Sequence, residues 1–306
     1  MARTRIRAAL LAACLLTTPV ALPAQPAQDF SKVQIQALPV AQGVFMLIGS
    51  GGNIGVSTGP DGLLIVDDQF APLHPKIVAA LEALKSGPVR FVLNTHWHFD
   101  HTGGNELFGK GGATLVAQDA VRTRLAAGQF SKLFNMDIPP APPAALPVVT
   151  FSEDLTFHWN GDEIEALHAP NAHTDGDAIV HFRKANAMHM GDVFISGRYP
   201  FIDLESGGSL SGVIAGCDRA LAIADAKTKI IPGHGPLSGR DELIAYRDML
   251  MLARERVEGA IAEGKSLDAL LADSPLEDLD PTWGGGFIKP EAFLRSVYAS
   301  LEAEKQ

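Results

Sequence analysis

A short segment of the chain combines three histidines with one aspartate. Residues 94–104 read NTHWHFDHTGG and follow a short apolar run that predicts a buried strand. His96 and His98 are two residues apart at the strand end, where alternate side chains share a face, so both can reach one ion. Asp100 and His101 lie past the strand, where the chain can turn and direct them towards a second ion. The spacing therefore predicts a metal centre.

Three further ligand candidates stand beside glycines later in the chain. His173 lies in a predicted turn between strands, Asp192 closes a predicted strand, and His234 follows an apolar pair. Glycine allows backbone to approach a site closely, and turns carry many functional residues. Imidazole and carboxylate ligands without thiolate suit zinc, and also iron or manganese.

Cysteine usage limits what can bind the metal. The 306-residue chain has only two cysteines, Cys14 and Cys217, which excludes a disulfide framework and a zinc–thiolate cluster. We expect Cys217 to be a buried apolar residue. With 46% apolar and 20% charged residues, the chain is too well mixed to be disordered or fibrous. Metal must therefore be bound by His, Asp and Glu in a folded domain.

The elements that position these residues fall into two halves of similar pattern. Residues 138–143 are rich in proline and incompatible with a helix or a central strand, so we expect a surface crossing there between the halves. Strand-rich halves that each end in helices predict two packed sheets with helices outside. The predicted strands are 33–38, 43–48, 54–57, 63–66, 91–93 and 113–117, then 155–159, 163–168, 178–182 and 187–190. The predicted helices are 75–84, 119–126, 209–223 and 241–262, and a last one beginning at Pro290.

Taken in order along residues 30–306, these motifs resemble the metallo-β-lactamase superfamily. The resemblance implies an α+β fold, a four-layer αββα sandwich, as a single domain over residues 29–306. It implies that His96, His98 and His173 hold a first metal ion and that Asp100, His101 and His234 hold a second. Asp192 would bridge the two ions, Asp67 would orient ligands, and Thr95 belongs to the same motif.

Two positions depart from the best-known β-lactamases of that family. Those enzymes have Cys or Ser where Asp192 stands, and many have a substrate-binding Lys where this chain has Ile195. Aspartate at this position is instead the pattern of the wider hydrolase family, which includes glyoxalase II and lactonases. The motif therefore leaves β-lactam hydrolysis open without indicating it.

The sequence predicts a metal-dependent hydrolase with two zinc ions and a small-molecule substrate. The expected reaction opens a lactam, lactone or thioester carbonyl with Asp100 and Asp192 as catalytic carboxylates. One alternative is a mononuclear-iron persulfide dioxygenase, which needs only His96, His98 and either Asp192 or His173. A glyoxalase II-like thioesterase is a second, and a non-catalytic binding protein is a third.

Several other residues are candidates for the rim of the site or for structural roles. Arg198 could receive a substrate carboxylate or form a structural pair with Asp203 or Glu205. The glycine-rich turn 49–53 joins two strands, which favours a mobile hairpin flap beside the site over a phosphate cradle. Trp97 and Phe99 should point into the core, and the remaining histidines are interpreted as structural: His74, His158, His168, His181 and His189.

Residues 1–28 are typical of a secretory signal peptide. Arg3, Arg5 and Arg7 precede an apolar stretch too short to span a bilayer, and small residues offer cleavage points. A lipid anchor on Cys14 is the less favoured alternative. Removing the segment leaves 22 basic against 35 acidic side chains, a net charge of −13, which disfavours nucleic acid and anionic membranes as partners. We expect a periplasmic or secreted protein without a membrane span.

Overall fold

The computed structural model describes residues 29–131 and 135–305, in which two β-sheets stack face to face. The predicted signal peptide and Cys14 lie outside the described residues. The first half contains β1 (Gln36–Ala41), β2 (Val44–Ile48), β3 (Ile54–Ser57), β4 (Leu63–Val66), β5 (Val89–Leu93), β6 (Thr114–Gln118), β7 (Gln129–Ser131), β8 (Met136–Ile138) and β9 (Val149–Phe151). Its helices are α1 (His74–Glu82), α2 (Phe99–Thr102), α3 (Asn105–Lys110) and α4 (Asp119–Ala127).

The second half contains the other sheet and the longer helices. Its strands are β10 (Asp154–Trp159), β11 (Asp162–Ala169), β12 (Asp177–Phe182), β13 (Ala187–His189), β14 (Lys229–Ile231) and β15 (Ser238–Gly239). Its helices are α5 (Leu210–Ile223), α6 (Arg240–Ala262), α7 (Leu267–Asp273), α8 (Asp280–Trp283) and α9 (Pro290–Ala303). Within the described residues, no helix is long and apolar enough to cross a membrane.

The two sheets share an apolar core between their inner faces. The first sheet runs β1-β2-β3-β4-β5-β6-β9, antiparallel up to β4 and parallel from β4 onward. The second runs β10-β11-β12-β13-β14-β15, with β13 and β14 parallel. Inner-face side chains of both sheets form one apolar cluster, including Val66 and Leu93 from the first sheet and Val180 and Ile231 from the second.

Each sheet buries its outer face under helices. Ile77 and Leu81 of α1 and Phe108 of α3 pack on the first sheet, where Ile65 and Val92 face outward. A larger cluster joins the second sheet to α5, α6 and α9 and includes the buried Cys217. This is the four-layer αββα arrangement of an α+β protein, so the predicted fold is confirmed.

The connection between the halves lies elsewhere than predicted. The proline-rich segment does run without a helix or central strand, but it joins the β7–β8 hairpin to β9, which still belongs to the first sheet. The crossing to the second sheet occurs at residues 152–153, between β9 and β10. The prediction was wrong because β9 has only three residues and shows no apolar alternation long enough to mark a strand.

Candidate metal centre

The candidate ligands all follow strand ends at one edge of the sandwich. Asp67 comes directly after β4, the His/Asp motif after β5, Asp192 after β13 and His234 after β14, while His173 lies in the turn between β11 and β12. Since β4 pairs parallel with β5 and β13 with β14, the carboxyl ends of each pair meet at the same edge. The fold therefore brings residues separated by more than a hundred positions to one place.

A first group consists of His96, His98 and His173, whose candidate ligand atoms lie within 4.8 Å of one another. Nδ1 of His98 is 2.8 Å from Nε2 of His173. His96 is fully buried, and its Nε2 has no hydrogen-bond partner among the described residues. A buried nitrogen without a partner is rare in a folded protein, so this atom indicates that the group binds a ligand there.

A second group consists of Asp100, His101 and His234, also within 4.8 Å of one another. Asp100 and His101 lie on the single helical turn of α2, which redirects the chain after His98. Oδ2 of Asp100 is 3.3 Å from Nε2 of His234 and 3.8 Å from Nε2 of His101. The short helix thus turns the chain after His98 and brings Asp100 and His101 close to His234.

The Asp192 carboxylate lies between the two groups. Its Oδ1 is 3.2 Å from Nε2 of His101, and its Oδ2 is 3.4 Å from Nε2 of His234 and 3.8 Å from Nε2 of His173. Asp192 also forms a candidate metal group with His96 and His101. One carboxylate therefore reaches histidines of both groups, which is the position a bridging ligand requires.

Asp67 orients two parts of the motif at once. Its Oδ1 accepts a hydrogen bond from the backbone N–H of Thr95 at 2.7 Å, and its Oδ2 accepts one from the Thr95 hydroxyl at 2.7 Å. The same Oδ2 is 2.8 Å from Nδ1 of His101. The Thr95 hydroxyl also lies 3.0 Å from Nδ1 of His96. With Nδ1 of both histidines engaged, their Nε2 atoms are directed towards the site.

Sequence reasoning missed a corresponding partner of the first group. Oδ2 of Asp203 is 2.9 Å from Nε2 of His98, so the opposite ring nitrogen, Nδ1, faces His173. Burial alone would raise the pKa of Asp203, but the hydrogen bond with His98 lowers it to about 2. The carbonyl of Phe201 lies 2.8 Å from Nδ1 of His173, and the Phe201 ring stacks on His98 with centroids 5.9 Å apart. The loop that contains Phe201 and Asp203 therefore fixes the ring orientations of His98 and His173.

Two glycines allow the ligands to come this close. A Cβ on Gly52 would lie 2.1 Å from Cε1 of His101, and a Cβ on Gly233 would lie 2.0 Å from Oδ1 of Asp192. Any side chain at either position would displace a candidate ligand. The glycine before His234, which marked that motif in the sequence, is therefore required because a side chain there would collide with Asp192.

A family model described as the metallo-beta-lactamase superfamily matches residues 46–247, which contain every candidate ligand. The chain belongs to the metallo-β-lactamase superfamily. It is accordingly a metal-dependent hydrolase, and its histidine and aspartate groups are able to hold metal. No curated protein matches the sequence.

Solved structures with the same fold include a metallo-β-lactamase from Pontibacter korlensis, with 18% identity, a TM-score of 0.57, and coverage of 71% of this chain and 99% of that one. They also include the stereoselective inverting sec-alkylsulfatase Pisa1 from Pseudomonas sp., with 18% identity and a TM-score of 0.63. That match covers 86% of this chain but 50% of the sulfatase. At this identity, the likeness concerns the fold of the superfamily.

The electrostatics of this superfamily member's two groups suit divalent cations. Burial lowers the pKa of His96 well below its usual range and that of His173 to about 4, so both imidazoles are neutral and offer lone pairs. Burial also opposes protonation of His101 and His234, but the nearby carboxylates outweigh it. Asp192 raises the pKa of His101 well above its usual range and that of His234 to about 9. The carboxylates thus attract positive charge to the second group.

Arg198 lies exposed on the loop after Asp192, and its place at the rim of the site stays a prediction. It makes no hydrogen bond or ion pair with another described residue, and Asp203, one of its two candidate structural partners, is engaged by His98 and Ser206 instead. Its side chain packs on Gly286, and a Cβ added to Gly286 would lie 2.9 Å from Cβ of Arg198. The Arg198 side chain is therefore not held by a hydrogen bond or ion pair to the described residues.

The two aromatic residues of the motif, the other histidines and the glycine-rich turn differ in how far they follow the predictions. Trp97 is buried against Ala117 and Val121, as predicted, whereas Phe99 is partly exposed and packs on Phe70. None of the five histidines interpreted as structural belongs to a described group that could hold metal. The glycine-rich turn 49–53 was predicted to be a mobile hairpin flap beside the site. It packs against the second group, with Gly52 and Asn53 both buried, and its mobility stays a prediction.

Proposed function

We propose that this chain is an exported dinuclear zinc hydrolase that opens the carbonyl bond of a lactam, lactone or thioester. The observation that carries the proposal is the position of Asp192, whose two oxygens lie 3.2–3.8 Å from histidine nitrogens of both groups. A mononuclear enzyme would need only the first group with Asp192. The complete second group of Asp100, His101 and His234 therefore favours two ions.

Two zinc ions would supply Lewis-acid polarisation of a carbonyl and acidification of a water molecule near neutral pH. His96, His98 and His173 would hold one ion, Asp100, His101 and His234 the other, with Asp192 shared. The donor set of imidazole and carboxylate without thiolate fits zinc. It also fits iron or manganese, so the identity of the metal is part of what we propose.

The two carboxylates have different parts in the proposed reaction. The Asp192 side chain is 11% exposed and is surrounded by ligand histidines, which suits it to orient the attacking water. The Asp100 side chain is 24% exposed, so it can reach both water and the leaving group. We assign to Asp100 the transfer of the proton from the attacking water to the departing nitrogen, oxygen or sulfur.

The loop after Asp192 differs from that of the best-known β-lactamases, which favours a carbonyl substrate other than a β-lactam. Ile195 is 7% exposed and apolar, so this position offers no cation for a substrate carboxylate. Arg198, three residues further on, is exposed and could receive one. Phe201 adds an apolar surface beside His98 and His173. We therefore propose modest activity on β-lactams and higher activity on a lactone or thioester.

The proposal is tested by assaying the purified, zinc-loaded protein against a β-lactam, a lactone and a thioester. A secondary alkyl sulfate joins this panel because one structural neighbour is a sec-alkylsulfatase. We expect hydrolysis of at least one carbonyl substrate, loss of activity with a chelator, and recovery with zinc. Hydrolysis of the sulfate ester and of no carbonyl substrate would overturn the proposed substrate class. Iron-dependent oxygen consumption with a persulfide, without hydrolysis, would overturn the hydrolase.

Export is proposed from residues 1–28 alone, whose three arginines and apolar stretch are typical of a signal peptide. Fractionation of cells expressing the full chain, followed by mass spectrometry of its N-terminus, tests this proposal. We expect a periplasmic or secreted protein that begins near residue 28. Retention of the intact N-terminus in the cytoplasm would contradict export, and a lipidated Cys14 would indicate an anchored form instead.

A further inference from the structure

The turn before β3 lies against the second metal group. The backbone N–H of Gly52 donates to the carbonyl of Asp100 at 3.1 Å, and its α-carbon faces the ring of His101 so closely that no side chain fits between them. Gln69 fixes the same turn, because its Nε2 donates to the carbonyl of Gly52 at 2.6 Å. The turn is thus part of the framework around Asp100 and His101.

Asn53, the next residue, holds the loop that carries His234. Its side-chain Nδ2 donates to the carbonyls of Pro232 and Gly235, each at 2.9 Å, and its backbone N–H donates to the carbonyl of Gly233 at 2.7 Å. These three acceptors lie on both sides of His234. Asn53 is only 4% exposed, so few water molecules can replace it. The amide side chain of Asn53 therefore attaches the His234 loop to the start of β3 in the first sheet.

A buried histidine connects Asn53 with the segment of Asp192. The backbone N–H of Gly191 donates to Nδ1 of His189 at 3.1 Å, so Nδ1 is an acceptor and the ring proton is on Nε2. That Nε2 donates to the carbonyl of Asn53 at 2.9 Å. Asn53 is therefore joined to the loops of His234 and Asp192.

We propose that Asn53 is a positioning residue for the second metal group. It sets how tightly Asp100, His101 and His234 bind their ion by fixing the His234 loop, without contacting that ion itself. Among the described residues, the side-chain hydrogen bonds of Asn53 go to Pro232 and Gly235, which flank His234, so the effect of this side chain is selective for the second ion. The proposal rests on the dinuclear function proposed above.

Asn53→Ala removes both side-chain donors and leaves the carbonyls of Pro232 and Gly235 without them. Loss of such a supporting contact weakens metal binding about 10–100-fold. Zinc bound per chain is measured by mass spectrometry after equilibrium dialysis at a series of chelator concentrations. We expect the wild type to retain two zinc ions at concentrations where Asn53→Ala retains one. Asn53→Ser, whose hydroxyl restores one donor, should lie between them and serves if the alanine variant folds poorly.

Two further variants show which ion is lost and whether the loss is specific. Combining Asn53→Ala with His98→Ala should remove the second and first ions together, whereas each single variant keeps one. Asn160→Ala is the matched control, because Asn160 also donates through Nδ2 to a backbone carbonyl, that of Gly62, at the opposite end of β3. It should retain two zinc ions even though it loses stability.

The outcomes separate this inference from the function on which it rests. Two zinc ions in the wild type, bound with unchanged affinity in both Asn53→Ala and Asn53→Ser, would overturn the role of Asn53 and leave the dinuclear function intact. Equal weakening of both ions, or the same loss in Asn160→Ala, would also overturn it, because the effect would then be one of general stability. A wild-type chain that binds only one zinc ion at saturation would overturn the dinuclear function itself.

Discussion

Asp203 fixes the orientation of His98 across 105 positions of sequence. Its Oδ2 lies 2.9 Å from Nε2 of His98, which leaves Nδ1 of the same ring facing His173. Oδ1 of Asp203 accepts from the backbone N–H of Ser206 at 3.2 Å, so both carboxylate oxygens are used. Asp203 therefore orients a histidine of the first group, as Asp67 orients Thr95 and His101.

Asp203→Asn should weaken zinc binding by the first group about 10–100-fold. An amide has one acceptor oxygen where the carboxylate has two, so either the contact with His98 or that with Ser206 is lost. Zinc titration against a competing chelator measures the change. Asp218→Asn, which alters an exposed ion pair with Arg247, is the control and should bind zinc like the wild type. Wild-type affinity in Asp203→Asn would contradict the assignment.

Asp67→Asn should reduce both turnover and stability while the fold is retained. Asp67 has a φ of 66°, a left-handed conformation that asparagine adopts readily, so the backbone should tolerate the change. The amide cannot accept all three hydrogen bonds from Thr95 and His101, and a buried donor left unsatisfied costs about 1–3 kcal/mol. Urea unfolding and kcat are the measurements. If kcat and stability stay within error of the wild type, Asp67 does not orient the motif.

Asp100→Asn should lower kcat by about 10²–10⁴ at saturating zinc, because an amide cannot accept the proton of the attacking water. The zinc content of the same samples must be measured, since Asp100 is also a candidate ligand. Circular dichroism like that of the wild type would show that the chain folds. Undiminished turnover by a zinc-loaded, folded variant would rule out Asp100 as the catalytic carboxylate.

Arg198→Ala should raise KM for a carboxylate-bearing substrate more than KM for a neutral lactone. A hydrogen bond between charged groups contributes about 1.5–3 kcal/mol, so KM for the anion should rise by about tenfold or more. Arg198→Lys keeps the charge and should recover part of the loss. Equal changes of KM for the charged and the neutral substrate would indicate that the guanidinium does not meet the anion.

Much of the site was predictable because its residues follow strand ends and glycine turns that are visible in the sequence. The seven candidate ligands from His96 to His234 were identified in this way, and the structure brings all of them together. Their roles as ligands stay predictions. The family was also correctly predicted, from the resemblance of the His/Asp motifs. The packed sheets were predictable because clear turns separate the apolar runs that form β2 to β6.

The supporting residues could not be predicted, because their contacts depend on tertiary packing. Asp203 looks like an ordinary acidic residue in a polar loop, and nothing local in the sequence pairs it with His98. Asn53 lies in a turn that looks flexible by composition, yet 179 positions separate it from Pro232, whose carbonyl it binds. The three-residue strands β7, β8 and β9 are too short for a periodic signal.

The central claim, a dinuclear zinc hydrolase, is tested most directly by adding zinc stepwise to the metal-free protein. Bound zinc and the rate of hydrolysis of the best panel substrate are measured in the same samples. We predict that activity reaches its maximum when two zinc ions are bound per chain. Maximal activity at one ion per chain, or activity with iron and oxygen only, would contradict the claim.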